Sequence, residues 1–276
     1  MTTVADALRR AKALGVDRLD AQWLLVHVLE RTRSWLIAHD DAVLDATQQA
    51  AFDATLARRA AGEPLAYLVG EKEFHGLALQ VDANVLVPRP ETEVLVDWAL
   101  ELLVAELRGV DRPAVIDLGT GSGAIALAVK HVHPEASVLA TDVSPAALAV
   151  ARSNADQLGL RVTFQAGSWW SAAGAARFHL ALSNPPYIAT GDPHLPALSH
   201  EPALALTPGG DGLGALRAII DGATDHLEDG GWLLLEHGYE QADTVRALLR
   251  ERGFAAIETR RDLAGRQRCS GARRQS

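Results

Sequence analysis

Apolar residues along the chain recur at two periods. Over residues 3 to about 61 the spacing is helical. In the run from Asp17 to Glu30, Leu19, Trp23, Val26 and Leu29 recur every three or four positions, with Leu24, Leu25 and Val28 beside them, and this predicts a broad apolar face. Asp17 and Asp20 stand near the start of that helix, where the backbone dipole favours negative charge. TQQAAFDATLARRAAG predicts a second helix, stopped by Gly62 and Pro64. No motif in this stretch carries chemistry, which leaves it as a small helical bundle or a docking module.

From Tyr67 to Pro88 the texture changes. Phe74, Leu77, Leu79, Val81, Val85 and Val87 surround two turn-like stretches, His75-Gly76 and Asp82-Ala83-Asn84, so short strands joined by turns are expected. Pro88 and Pro90 then punctuate the chain. TEVLVDWALELLVAEL opens a helix with Thr92 as its cap. Beyond residue 112 the runs PAVIDL, SVLATD, RVTFQA, FHLALS and GWLLLE read as strands, with helical patterns after the first, second and fifth. That alternation predicts βαβ units, hence an α/β fold with a parallel, doubly wound sheet. The expected organisation is a helical domain over 1–70, a hairpin and proline-rich connector over 71–95, and the α/β domain over 96–276.

Bulk properties narrow the function. With 48% of 276 residues hydrophobic, there is enough apolar material for one ordinary domain and a smaller partner. A net charge of -9 argues against a general grip on nucleic acid, which needs clustered cations to neutralise phosphates. The local excess of Arg260, Arg261, Arg266, Arg268, Arg273 and Arg274 reads as a solvated tail. Cys269 is the only cysteine, so no internal disulfide and no cysteine-rich metal site is expected, and the ten histidines show no metal-ligand spacing. The N-terminus lacks a charged-then-apolar signal pattern and no apolar run approaches bilayer length, so a cytoplasmic protein that engages no membrane is expected.

The run Asp117-Leu118-Gly119-Thr120-Gly121-Ser122-Gly123 sits where the first of these strands turns into a helix. Glycines there allow a tight turn and close approach of a ligand. Alone, such a loop is also just a strand-to-helix turn. Asp142 ends the next strand about twenty residues on, placed for ribose hydroxyls. The third glycine of a dinucleotide fingerprint would fall at Ala124, a substitution that disfavours NAD without excluding it. A nucleoside sulfonium needs no phosphate cradle, and its methionine carboxylate and ammonium can be met by loop amides and Asp117. Trp169, after the third strand, either stacks on an adenine ring or is a core indole.

Asn184-Pro185-Pro186-Tyr187 follows FHLALS directly. A central strand cannot continue through two prolines, so the chain leaves the sheet at the edge where open α/β sheets bind ligands. An amide or aromatic amino nitrogen is a poor nucleophile because its lone pair is delocalised. Two acceptors aimed at its hydrogens would orient it and offset the positive charge it develops. The Asn184 side-chain carbonyl and the Pro185 backbone carbonyl are candidates, and Tyr187 can wall a flat acceptor by stacking. Glu236 and His237 end a strand nearby, where structural hydrogen bonding is the expected role.

Asp117 to Gly123, Asp142, Trp169 and NPPY together resemble the amino-methyltransferases of the Rossmann-like class. GEPLAYLVGEKEFHG (62–76), VLVPRPETE (85–93), EPALAL with GGDGL (201–213) and LLEHG (234–238) make the chain most similar to the HemK/PrmC-type release factor glutamine methyltransferases. The resemblance runs from about residue 5 to about 268. It implies a seven-stranded Rossmann-like domain with an antiparallel seventh strand. It also implies S-adenosylmethionine at Gly119, Thr120, Gly121, Ser122, Gly123, Asp142 and Trp169, with Asn184 bordering both cofactor and substrate. The substrate it implies is the glutamine of the GGQ motif in class 1 peptide chain release factors, held by Asn184, Pro185, Pro186 and Tyr187, with S-adenosylhomocysteine as product. Pro88 to Glu93 would border the acceptor entrance. Ser168 departs from the acidic residue common in the family before the aromatic. The rival substrate is the amino group of a flipped adenine or guanine, although the acidic balance argues against a stable nucleic-acid partner. A NAD-dependent dehydrogenase leaves NPPY unexplained, and a non-catalytic docking module leaves the glycine loop unexplained as well.

Overall fold

The structure, a computed structural model, describes residues 2–275 and divides into two compact units, 1–71 and 72–276. In the first, strand β1 (Thr2–Thr3) leads into α1 (Val4–Ala13), α2 (Arg18–Leu29) and α3 (Arg33–Ala38). Strand β2 (Val43–Leu44) pairs antiparallel with β1, and α4 (Ala46–Ala60) and α5 (Leu65–Val69) complete the bundle. Capping explains where these helices begin. Asp17 accepts from the Leu19 amide at 2.7 Å, and Asp45 and Gln48 form a reciprocal capping box.

The apolar face of α2 is not the one expected. Ala21, Leu24 and Leu25 are fully buried, whereas Leu19 and Trp23 are 44% and 45% exposed. A stripe at i, i+3 and i+4 can be built on a small residue, and Ala21 anchors it. Bulk alone misdirected the expectation.

A hairpin of β3 (Glu71–Phe74) and β4 (Leu77–Gln80) comes next, all but its first residue in the second unit, then α6 (Glu93–Ala105). Next come β5 (Ala114–Leu118), α7 (Ala124–Val132), β6 (Ser137–Asp142), α8 (Pro145–Leu158), β7 (Thr163–Ala166) and β8 (Phe178–Ser183). The short α9 (Ala203–Leu206), α10 (Gly214–His226), β9 (Leu227–Glu236), α11 (Ala242–Glu251), β10 (Ala255–Arg261) and β11 (Gln267–Arg273) follow. The seven-stranded sheet has the order β10-β11-β9-β8-β5-β6-β7. Strands β5 to β9 are parallel, and β11 runs antiparallel to both β9 and β10. The α/β fold, the seven strands and the antiparallel β11 agree with the expectations.

Both faces of the sheet are covered. Val115, Leu180, Leu182 and Leu234 face a core with α6 and α7, while Ile116, Ala181, Leu233 and Leu235 face one with α10 and α11. Period-2 alternation between two buried faces makes these strands read as continuous apolar runs. The order reverses at β5, which pairs with β6 on one side and with β8 on the other. The carboxyl ends of β5, β6 and β8 therefore surround a crevice at the switch point.

The arginine-rich terminus is not a solvated tail. It forms β10 and β11, Arg260 lies 4.5 Å over the Trp98 ring and pairs with Glu101, and Arg268 pairs with buried Asp262. Thr92 is not a helix cap either. It makes no capping hydrogen bond and is buried at 4% exposure. No helix among the described residues is long and apolar enough to cross a membrane, and they hold no cluster of metal-ligating side chains.

The packing of β11 against α6 leaves no room for a side chain at Gly271. A Cβ there would lie 2.4 Å from Leu234 Cδ2 and 2.6 Å from Trp98 Cη2. Gly271→Ala is expected to destabilise the fold by about 1–3 kcal/mol. Urea unfolding monitored by circular dichroism checks this, and an unchanged midpoint would contradict the packing.

Candidate active site

The crevice is a cavity of about 480 Å³, within the range of small-molecule pockets. The sheet register sets its floor. Leu118 pairs with Thr141, Asp117 with Leu182 and Asp142 with Ala166, so the loops after β5, β6, β7 and β8 emerge side by side. Gly119, Thr120, Gly121, Ser122, Asp142, Trp169, Asn184 and Pro186 all line the cavity. Asp117, Gly123, Pro185 and Tyr187 stand behind that wall and do not line it.

Each wall residue has a local cause. Gly119 has φ +77, and a Cβ on it would sit 3.3 Å from the Trp169 ring, so glycine lets the indole lie against the loop. Trp170 is buried, stacks on His226 and donates from its indole nitrogen to the Ile219 carbonyl at 2.8 Å. That anchor leaves Trp169, at φ +47, on the cavity side. The Asp142 carboxylate accepts from the Gly121 amide and from the Ser144 amide, both at 2.9 Å. Its oxygens are thereby aimed across the glycine loop with lone pairs to spare.

Asp117 is fully buried. The Thr120 hydroxyl donates to its Oδ2 at 2.6 Å, and Oδ1 has no hydrogen-bond partner. Burial pushes its carboxyl up to about 7, against the opposing pull of the Thr120 hydroxyl. The carboxyl lies beneath the glycine loop and outside the cavity lining, where it holds Thr120 in place.

On the acceptor side, Ser183 at the end of β8 donates to the Leu118 carbonyl at 2.6 Å, tying the two strand ends together. The Asn184 amide donates from Nδ2 to the Thr92 hydroxyl at 3.1 Å. The Tyr187 carbonyl accepts from Gln241 at 3.0 Å, and its hydroxyl donates to Glu236 Oε1 at 3.2 Å. The EPALAL and PRPETE segments meet here as well. Buried Glu201 accepts from the Val87 amide at 3.1 Å and pairs with Arg89. Pro88, Arg89, Thr92, Pro202 and Leu204 complete the rim.

Glu236 is buried at 1% exposure, with Oε2 unpartnered. Burial pushes its carboxyl up to about 7, opposed by the Thr92 hydroxyl, the Arg268 guanidinium and the Tyr187 hydroxyl. Burial likewise lowers neighbouring His237 to about 4, and its ring bonds to Ser270 and to the Gly238 carbonyl. His237 is thus a structural, neutral imidazole. Thr92 was expected at the site only as part of the Pro88–Glu93 segment at the acceptor entrance, and Arg268 was not singled out at all, because an arginine near the terminus carries no motif signal.

A PrmC N-terminal domain model matches residues 2–70, and a methyltransferase small domain model matches residues 92–213. A release factor glutamine methyltransferase of Bordetella pertussis is 50% identical over 260 residues, covering 93% of this chain and 95% of that protein. One from Xylella fastidiosa strain Temecula1 is 47% identical, covering 97% of each. Among solved structures, a Thermus thermophilus 16S rRNA N2 methyltransferase in complex with AdoMet and guanosine superposes with a TM-score of 0.54 at 20% identity, covering 74% of this chain and 50% of that one. That likeness shows the fold alone. Identity near one half over almost the whole length goes further: the chain belongs to the release factor glutamine methyltransferase family.

Proposed function

We propose that the chain transfers a methyl group from S-adenosylmethionine to the side-chain amide nitrogen of the glutamine in the GGQ motif of class 1 peptide chain release factors. The observation that carries this reading is one cavity with Asn184 in one wall and the glycine loop, Asp142 and Trp169 in another. The names of the relatives support the substrate, and the AdoMet held by the Thermus enzyme supports the cofactor.

The residues fit the cofactor by chemistry. Asp142 suits ribose hydroxyls, Trp169 suits a flat purine, and Asp117, behind the cavity wall, holds the Thr120 hydroxyl of the glycine loop in place. S-adenosylmethionine supplies an electrophilic methyl group on a sulfonium. The chain's own task is to present the amide nitrogen. Asn184, its Nδ2 engaged by Thr92, keeps Oδ1 as an acceptor for one substrate N–H. The Pro185 carbonyl is the second acceptor in this reading, although Pro186 is the proline that reaches the cavity wall. Tyr187, with its hydroxyl held by Glu236, braces the turn from behind. Two acceptors stabilise the nitrogen as it becomes cationic, and its proton leaves afterwards, so no strong base is required before transfer.

The helical unit is the docking element in this reading. Leu19 and Trp23, one turn apart on α2, are both exposed apolar side chains suited to a protein partner. Replacing both by serine should raise KM for release factor several-fold while kcat and cofactor affinity stay near wild type. Steady-state kinetics with an unchanged KM would remove this face from docking.

Asp142→Ala should raise the S-adenosylmethionine dissociation constant roughly ten- to a hundred-fold, the loss of charge-assisted hydrogen bonds of ~1.5–3 kcal/mol. Unchanged affinity by calorimetry would take Asp142 out of the cofactor site. The substrate is decided by incubating the enzyme and labelled S-adenosylmethionine with release factor, RNA or DNA. Label is expected on the GGQ glutamine, and label on nucleic acid alone would replace this reading by base methylation. Asn184→Ala should slow single-turnover methylation roughly 30- to 1000-fold, equivalent to ~2–4 kcal/mol at the transition state, with cofactor affinity within a few-fold of wild type. Wild-type rates would reduce NPPY to a turn.

A further inference from the structure

We propose that Asn154 is a positioning residue shared by two walls of the cavity, holding the glycine loop on the cofactor side and the connector on the acceptor side with one side-chain amide. Its part on the acceptor side rests on the reading of the cavity as a methyl-transfer site. Its part on the cofactor side is measurable without any acceptor.

Asn154 stands in α8, outside every motif of the sequence, and is fully buried. A buried amide is unfavourable unless its donors and its acceptor are met. All of them are met, and none by its own helix. Oδ1 accepts from the Gln80 amide at 2.7 Å, and Nδ2 donates to the Gln80 carbonyl at 3.0 Å and to the Ser122 carbonyl at 2.9 Å.

The two bonds to Gln80 imitate the pairing of a neighbouring strand, taking the N–H and the C=O of one residue together. A primary amide can do this because it carries a donor and an acceptor side by side. Gln80 ends β4, and the connector that follows supplies Asn84, Val85, Leu86 and Pro88 to the cavity. The far end of that connector is fixed at Val87, whose amide donates to buried Glu201 at 3.1 Å. Asn154 is thus the near anchor of this wall and Glu201 the far one. Ser153 adds a lesser tie, donating from its hydroxyl to the Gln80 side chain at 2.9 Å.

The third bond reaches the glycine loop. Ser122 lines the cavity and Asn154 does not, so the bond draws the Ser122 carbonyl behind the wall. Its oxygen is thereby kept from the face where a ligand carboxylate would meet it with repulsion. Loop and helix also lie in close contact. Gly123 has φ +86, and a Cβ on it would sit 3.3 Å from the Ala151 Cβ, one turn before Asn154. A loop held in this way is preorganised, and less freedom is lost when a ligand binds it. One buried side chain therefore sets the spacing between the loop that meets the cofactor and the connector that borders the acceptor.

The test uses the full chain, with calorimetry for S-adenosylmethionine, steady-state methylation of release factor, and amide hydrogen exchange. Asn154→Ala removes all three bonds. Asn154→Asp keeps the side-chain volume and an acceptor for the Gln80 amide, and loses the donors. Both should raise the cofactor dissociation constant roughly five- to thirty-fold, the loss of one or two hydrogen bonds. KM for release factor should rise several-fold in Asn154→Ala and less in Asn154→Asp. Leu249→Ala, in the core on the other face of the sheet, is the control for general destabilisation. At an equal or larger fall in urea midpoint it should leave both values near wild type. In the wild-type protein, S-adenosylmethionine should slow exchange of the Gln80 amide several-fold more than that of the other hairpin amides, although Gln80 does not line the cavity. Cofactor affinity near wild type in both Asn154 variants, or the same losses in Leu249→Ala, would overturn the positioning role. If neither variant folds, exchange at Gln80 decides, and a rate that S-adenosylmethionine leaves unchanged overturns it. A wild-type enzyme that leaves release factor unmethylated would refute the proposed function, while the calorimetric and exchange results still decide the role of Asn154.

Discussion

Two adjacent prolines at the end of a central strand constrain the rest of the site. Pro185 and Pro186 have no N–H to give, so β8 cannot extend past Ser183 between β5 and β9. The chain must leave the sheet beside the carboxyl end of β5, where the strand order reverses. Ser183 ties that exit to Leu118, and Gln241 holds the Tyr187 carbonyl one turn later. Gly212 keeps the same carbonyl clear, since a Cβ there would lie 2.4 Å from it. Asn184 is the first residue free of the sheet and still pinned on both sides. Its placement follows from backbone chemistry before any side-chain preference enters.

The polar groups around this exit are unusually deeply buried. Asp117 and Glu236 both sit at the ends of interior strands, each with one unpartnered oxygen and a carboxyl pushed up to about 7 by burial. They lie on opposite sides of β8, one under the glycine loop and one behind Thr92 and Tyr187. Such groups lower stability unless a partner arrives or they orient a neighbour. Arg268, drawn in from β11, supplies the compensating positive charge near Glu236. The antiparallel last strand thus contributes electrostatics as well as closure of the sheet.

Much of this was legible in the residues alone. The strand runs were readable because both faces of the parallel sheet are buried, and apolar runs between turn signals survive any error in register. NPPY and the glycine loop were readable because their chemistry is local. What escaped was set by remote partners. Ala21 carries little apolar weight by type, yet it anchors α2 because helices can approach it closely. The arginines of the terminus looked solvated because Glu101 and Trp98, which engage Arg260, are distant in sequence, and the single acidic residue within the run, Asp262, is too little to signal an ordered strand. Register shifts between Ala255 and Glu258 and between Arg260 and Arg261 also break the alternation that marks a strand. Thr92 looked like a cap because threonine before a helix usually is one. Its hydroxyl instead meets Asn184, 92 positions away in sequence.

The polarity of the site bears on which nitrogen it can take. In the proposed function the Asn184 carbonyl, with Nδ2 engaged by Thr92, accepts from an NH2 group and rejects a group that offers only lone pairs. Such a site discriminates by leaving a buried polar atom unpaired when the wrong ligand enters, which is the stronger form of selectivity. It does not by itself separate a glutamine amide from a base amino group, because both are planar and both donate twice. That separation has to come from outside the pocket. The charge of -9 repels a phosphate backbone, whereas exposed apolar side chains such as Leu19 and Trp23 suit a folded protein surface. Chemistry at the cavity therefore sets the class of nitrogen, and the surface of the molecule sets which macromolecule delivers it.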